Sequence, residues 1–234
     1  PDEALSDINK SPQLFFHRLG DEQGQDKLIY EDKENPDFSW SINVPEQGDY
    51  RVLSIGEGTD ERNFLYISLD RSLNFIPLID KFEASYRFLG GNAETLWFFS
   101  NLDAPNGKIL TLNISDKKFQ WKELIGEKTF PISGASIAGD KLIINYLKDT
   151  ISQVEFYNLQ GKFIKELHYE NIGTLSGFNG RFDSNRTYFE FSNFTSPQRI
   201  YELDLKSLEY SLYWETTIKN LNINDYVSKL DFYQ

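Results

Sequence analysis

The sequence predicts an all-β protein, a β-propeller made of antiparallel four-stranded blades. Two observations carry this. Arg186–Leu205, RTYFEFSNFTSPQRIYELDL, alternates aromatic and polar residues on both sides of Ser196-Pro197, so it reads as two strands around a short turn. Period-2 alternation puts the rings on one face of each strand, as in half of a small antiparallel sheet. The unit also recurs: its second strand aligns with 63–70 (NFLYISLD), 108–115 (KILTLNIS), 153–160 (QVEFYNLQ) and 198–205 (QRIYELDL). Steps of about 45 residues, with four strands to a step, are the period of propeller blades. A weaker copy, QLFFHRLG at 13–20, comes about 50 residues before the first.

In chain order, residues 1–12 read as a linker. A half blade follows at 13–32, with strands Leu14–Leu19 and Lys27–Glu31 around the polar loop GDEQGQD. Blades are expected at 38–80, 84–125, 132–169 and 174–214. The first takes Phe38–Val44, Arg51–Ile55, Asn63–Leu69 and Ile76–Ile79; the second takes Ser85–Leu89, Thr95–Ser100, Lys108–Ile114 and Gln120–Leu124. The third takes Ile132–Ile137, Lys141–Leu147, Gln153–Asn158 and Phe163–Tyr169. The fourth takes Leu175–Phe178, Thr187–Ser192, Arg199–Leu205 and Tyr210–Trp214. Turn residues mark the junctions Glu46–Asp49, Gly90–Asn92, Ala138–Asp140 and Leu159–Lys162. Residues 215–234 form an exit segment that ends in a strand-like piece, Val227–Tyr233. The count is about four and a half blades, and an incomplete ring leaves a sheet flank for a neighbour to cover. The chain is therefore expected to belong to something larger and to self-associate through open blade edges.

Composition narrows the function classes. Aromatics reach 15%, with 19 Phe and 13 Tyr, which suits rings packed between pleated sheets. The formal net charge is -12, from 36 acidic against 24 basic residues, which argues against nucleic acid and anionic membrane surfaces as partners. Cys is absent, so disulfides and Cys-ligated metals are excluded. No stretch is long and apolar enough to be a transmembrane helix, and no signal peptide is visible. The polar, Met-less start suggests a chain that begins mid-protein or after processing. The expected protein is soluble and cytoplasmic, with the periplasm as the alternative compartment.

Catalytic groups are not expected. A serine hydrolase of the α/β type needs a Ser on a strand–turn–helix elbow with an acid and a His. Gly134-Ala-Ser136-Ile-Ala138 is the nearest match to that elbow, but it lacks the last Gly and precedes a strand hairpin. The two His residues, His17 and His168, lie far apart in repeat strands and read as surface or packing residues. There is no His/Asp/Glu cluster at metal spacing and no Gly-rich phosphate loop, so no metal and no cofactor are expected. Asp149 and Ser196-Pro197 read as structural, Asp149 by accepting N–H bonds in the turn after its strand and Pro197 by capping a strand where no ladder N–H is needed. The sequons at Asn113, Asn185 and Asn193 read as chance.

An ordered set of motifs resembles the propeller domain of the prolyl oligopeptidase family. They are LFFHRLG, KLIYED, YRVLSIGEGTDERNFLY, PLIDKFEASY, INYLKD, SQVEFYNLQGK and FEFSNFTSPQRIYELDL, with a terminal VSKLDFYQ similar to the return of the chain toward the peptidase domain. The resemblance covers roughly residues 13–234. It implies the later blades of a seven-bladed propeller whose ring is not laced shut, sitting as a lid over an α/β-hydrolase domain. That domain would be its partner, short peptides its substrates, and tunnel width the selector. In such proteins the segment matching Ile55–Thr59 usually carries an Arg and often a Cys near the outer substrate site; here Gly56 and Thr59 stand there. Ser39, between Phe38 and Trp40, stands where a Met is frequent. These three are the candidate substrate-facing residues. A different class of reading, a stand-alone propeller presenting loops to protein or peptide partners, predicts a ring that closes on itself.

Overall fold

The alternating pattern becomes eighteen strands among the described residues of the computed structural model, which are 10–70, 73–115, 119–219 and 225–232. Strands β1 (Gln13–Phe16) and β2 (Lys27–Glu31) form a two-stranded sheet. Four four-stranded meanders follow. The first holds β3 (Phe38–Asn43), β4 (Arg51–Glu57), β5 (Asn63–Ser68) and β6 (Ile76–Ile79); the second holds β7 (Tyr86–Gly91), β8 (Thr95–Ser100), β9 (Lys108–Asn113) and β10 (Trp121–Ile125). The third holds β11 (Ile132–Ala138), β12 (Lys141–Lys148), β13 (Ile151–Asn158) and β14 (Phe163–Glu166); the fourth holds β15 (Thr174–Gly177), β16 (Arg186–Ser192), β17 (Arg199–Asp204) and β18 (Tyr210–Glu215). All pairs are antiparallel, so each sheet is a propeller blade with its first strand innermost. No helix among the described residues is long and apolar enough to cross a membrane.

Middle strands such as TLWFFS and KLIINYLK read as nearly continuous apolar runs because both of their faces are buried. Leu96 and Phe98 point to the seam with the first blade, where Tyr50, Val52, Leu65 and Ile67 meet them. Trp97, between them, points the other way, toward Leu142, Ile144 and Tyr157 of the third blade. Ile143, Val154 and Phe156 then turn to the fourth blade and pack on Leu175, Phe189, Phe191 and Tyr201. Offset ring pairs fill this last seam, with Phe178 and Tyr201 stacked on Phe189 at 4.9 and 5.1 Å.

Polar side chains lock the seams. Asn63, only 7% exposed, accepts the Tyr86 N–H through Oδ1 at 2.7 Å and donates through Nδ2 to the Tyr86 carbonyl at 3.0 Å and to Ser54 Oγ at 2.8 Å. The third and fourth blades repeat the device one repeat pair later. Ser152 Oγ accepts the Leu175 N–H at 2.9 Å, and Asn145 Nδ2 donates to the Leu175 carbonyl at 2.7 Å. Backbone bonds at the same level tie all three seams: Asn63 N to Ala84 O, Ile132 N to Asn106 O and Ser152 N to Gly173 O. The middle seam adds a side-chain cluster in which Lys128 Nζ donates to Glu155 at 2.6 Å and to the Tyr157 hydroxyl at 2.9 Å.

Several sequence expectations need correction. Gly90 and Gly91 are not a turn but the end of β7, where a bulge between Phe88 and Gly90 breaks the register. Glycine is required at 91 because a Cβ there would stand 2.1 Å from the Tyr50 hydroxyl and 2.5 Å from Leu96. Asp149 serves by conformation: Asp149 and Thr150, at φ 48° and 68°, form the two-residue turn between β12 and β13, the mirror-image type whose twist matches a hairpin. The strand expected over Leu14–Leu19 stops at Phe16, and the one over Phe163–Tyr169 stops at Glu166, beyond which Tyr169 turns into the core. Residues 226–232 form no strand; the exit segment is held by side chains, with Ser228 Oγ 3.0 Å from Thr195 Oγ1. Tyr233 lies outside the described residues.

The seam chemistry makes opposite predictions for two buried polar residues. Asn63→Ala strands the buried Tyr86 N–H and carbonyl and should cost about 3 kcal/mol, lowering Tm by roughly 6–12 °C. Tyr50→Phe removes a buried hydroxyl that has no hydrogen-bond partner among the described residues. It should leave Tm unchanged or raise it. Thermal denaturation of both variants checks the pair.

Candidate functional site

The inner strands and the loops between second and third strands build one end of the assembly. There the link 80–85 between blades meets the loop 58–62, and a groove of about 490 Å3 opens between the first two blades. Ser39 and Gly56 face each other as cross-strand partners on β3 and β4, and both line this groove. Thr59 does not. It sits exposed in the turn that follows β4, where Gly58 at φ 54° redirects the chain and itself lines the groove. So two of the three sequence candidates share a wall, and the third stands on the adjoining loop.

Sequence reasoning passed over the arginine of that loop. Asp60 folds the segment back on itself, accepting the Arg62 backbone N–H at 2.9 Å and the guanidinium through both carboxylate oxygens, at 3.0 Å from Nε and 2.6 Å from a terminal nitrogen. The guanidinium lies over the Phe82 ring, 4.9 Å from its centroid. The hydrogen bond from Arg62 is the main reason that the Asp60 pKa falls to about 2. A cation, Arg62, does stand on the loop that follows Gly56 and Thr59, already paired with Asp60. The signal for it was the spacing Asp60-Glu-Arg62 in a turn, a local clamp visible in the sequence.

A second groove of about 450 Å3 opens between the third and fourth blades, lined by Ser133, Ser136, Asn145, Ser152 and Ser176. Arg87 of β7 borders both grooves. Ser136 is mid-strand in β11, opposite Ile143, and donates its hydroxyl to the Phe178 carbonyl at 2.8 Å. It is a seam residue in a hairpin strand, and the geometry of a nucleophile elbow is not there. His17 pairs with Asp26 at 2.7 Å on the exposed first hairpin. The His168 backbone carbonyl accepts the Tyr210 hydroxyl at 3.2 Å in the third link. Neither imidazole is brought to Ser136.

Consecutive four-stranded antiparallel blades define the chain as a β-propeller. The sequence matches the family described as "Prolyl oligopeptidase, N-terminal beta-propeller domain" over residues 1–216, and the chain belongs to that family. It is 30% identical over 231 residues to the prolyl endopeptidase of Elizabethkingia miricola, covering 98% of this chain and 32% of that protein. To the prolyl endopeptidase of Dictyostelium discoideum it is 27% identical over 251 residues, covering 98% and 33%. A structure from a study of two prolyl endopeptidases and their inter-domain dynamics superimposes with a TM-score of 0.85 at 27% identity, over 94% of this chain and 33% of that one. Prolyl oligopeptidase B from Galerina marginata shares the fold, with a TM-score of 0.85 at 20% identity over 92% and 32% of the two chains. The chain therefore spans about a third of the length of the curated relatives it matches.

The Asp60–Arg62 clamp has a titration signature. Because the folded pKa is depressed, the clamp is fully present above the ordinary aspartate range and fades as pH falls through about 2. A carbon-detected NMR titration should show the Asp60 carboxyl titrating near that value, and Arg62→Ala should return it toward 3.8.

Proposed function

We propose that this chain is the non-catalytic, substrate-gating propeller portion of a serine peptidase that cleaves short proline-containing peptides. The observation that carries the reading is the match to the peptidase propeller family across the chain, at about a third of the relatives' length. The remaining two thirds of such a protein would supply the α/β-hydrolase domain and the catalytic groups. The contribution of this chain is steric. Its seams are fixed by buried side-chain to backbone bonds, so the blades act as a rigid wall, and the inner strands give peptides a surface on which hydroxyls alternate with apolar side chains. Ser39, Gly56 and Thr59 are the positions proposed to face substrate, with Arg62 beside them. The exit segment, tied to the loop before β17, leads toward the hydrolase domain.

The direct test is expression of the whole reading frame that contains this chain. It is assayed with a short proline-containing chromogenic peptide and with the same peptide embedded in a folded protein. Cleavage of the first and not the second is expected, while the isolated 27.3 kDa chain turns over neither. A reading frame without a hydrolase segment would sink the proposal. So would turnover by the isolated chain that Ser136→Ala abolishes.

The chain by itself also exposes apolar side chains at its two flanks, Phe15, Phe16 and Leu28 on the first hairpin and Leu212, Tyr213 and Trp214 on β18. Sedimentation velocity should therefore show concentration-dependent association of the isolated chain. A strictly monomeric chain would favour the self-contained scaffold instead.

A further inference from the structure

The inner strands carry one charged group whose environment calls for a ligand. Arg87 lies on β7, the innermost strand of the second blade, opposite Phe99 of β8, and its guanidinium covers the Phe99 ring at 4.7 Å. It is the only charged residue among the described residues that line the groove between the third and fourth blades. The rest of that wall is neutral and rich in hydroxyls, including Ser133, Ser136, Ser152 and Ser176. The wall between the third and fourth blades carries no carboxylate to oppose it, in a chain of net charge -12; Asp60 and Glu61 line the other groove that Arg87 borders, and Asp60 there is already paired with Arg62. The side chain stays open to solvent, yet the surrounding protein displaces enough water to push its pKa down, and no neighbouring charge opposes the shift.

The same groove is backed by a buried amide. Asn145 is 9% exposed and lines it, and its amide nitrogen is spent on Leu175 and Ser152. Its carbonyl oxygen is buried with no donor among the described residues. The groove thus offers a planar cationic fork beside neutral walls that carry serine hydroxyls. Guanidinium groups bind carboxylates through paired N–H bonds, and hydroxyls and amides suit the peptide groups that precede one.

We propose that Arg87 and the groove between the third and fourth blades form a binding site for a carboxylate of a short peptide. The site names the ligand chemistry of the inner face and so rests on the peptide-selecting reading above. It can nevertheless be tested on this chain alone, so a failed peptidase assay and a failed binding assay report different things.

The experiment is calorimetric titration of the chain with three N-acetylated proline-containing peptides of one sequence. One carries a free C-terminal carboxylate, one a C-terminal amide, and one a C-terminal amide with Glu replacing a neutral residue. A charge-assisted pair at a partly desolvated arginine should favour the free acid over the amide by about tenfold or more at low salt. Arg87→Gln should erase that preference with unchanged circular dichroism, and Arg87→Lys should restore part of it. If the Glu-containing amide binds like the plain amide, the carboxylate read is the terminal one. If it binds like the acid, acidic side chains are read as well, and the carboxylate site stands in either case. The proposal is overturned if the acid and amide bind alike, if no peptide binds, or if Arg87→Gln keeps the preference.

Discussion

The structure depends on how adjacent blades grip one another. A four-stranded sheet buries both faces only if a neighbour covers each, and nothing covalent joins the blades beyond single links. The grip is a buried side chain from the second or third strand that satisfies both polar groups of one residue on the next inner strand. Asn63 does this for Tyr86, and Asn145 with Ser152 does it for Leu175. An edge strand with unpaired N–H and carbonyl groups would otherwise leave them in an apolar seam, where each unsatisfied group costs about 1–3 kcal/mol. Satisfying them sets the spacing and angle of the blades, and the aromatic packing then follows.

The middle seam solves the same problem differently. Lys128, from the link between β10 and β11, reaches the buried Glu155 and Tyr157, with its ammonium 4.8 Å from the centre of the Tyr146 ring. Burial, and then the hydrogen bond to Glu155, raise the Tyr157 pKa. Asn106 fixes the same link through the carbonyls of Lys128 and Thr129 at 3.0 and 3.2 Å. Uncharged clasps thus flank one charged clasp. Charge here is tolerated because donor and acceptor are held together and the lysine keeps partial access to water.

These clasps also explain the character of the grooves. Several of the serines and asparagines that lock the seams also line the cavities, so polar groups stand among the apolar side chains of the inner face for structural reasons before any ligand arrives. Arg87 does not take part in a clasp. Its guanidinium rests on the Phe99 ring and it borders both grooves. That separates it from Arg62, which Asp60 holds in a closed local pair.

The sequence by itself determined the blades. Alternation in TYFEFS and RIYELD, and its return at a near-constant step, specified strands, faces and repeat number, because strand faces have a strict period of two and hairpins are local. Ser39 and Gly56 were legible only through the family resemblance, and the structure makes them partners across one hairpin. What only the tertiary structure decided lies between sheets. Gly90-Gly91 looks like a turn until Tyr50, from another blade, is seen to need the space above it. Asn63 looks like a strand start until Tyr86 is brought under its amide, and Arg87 looks like an ordinary polar position until two grooves meet at it. Such relations join residues distant in the chain through packing, and a local period carries no record of which sheet comes to rest on which.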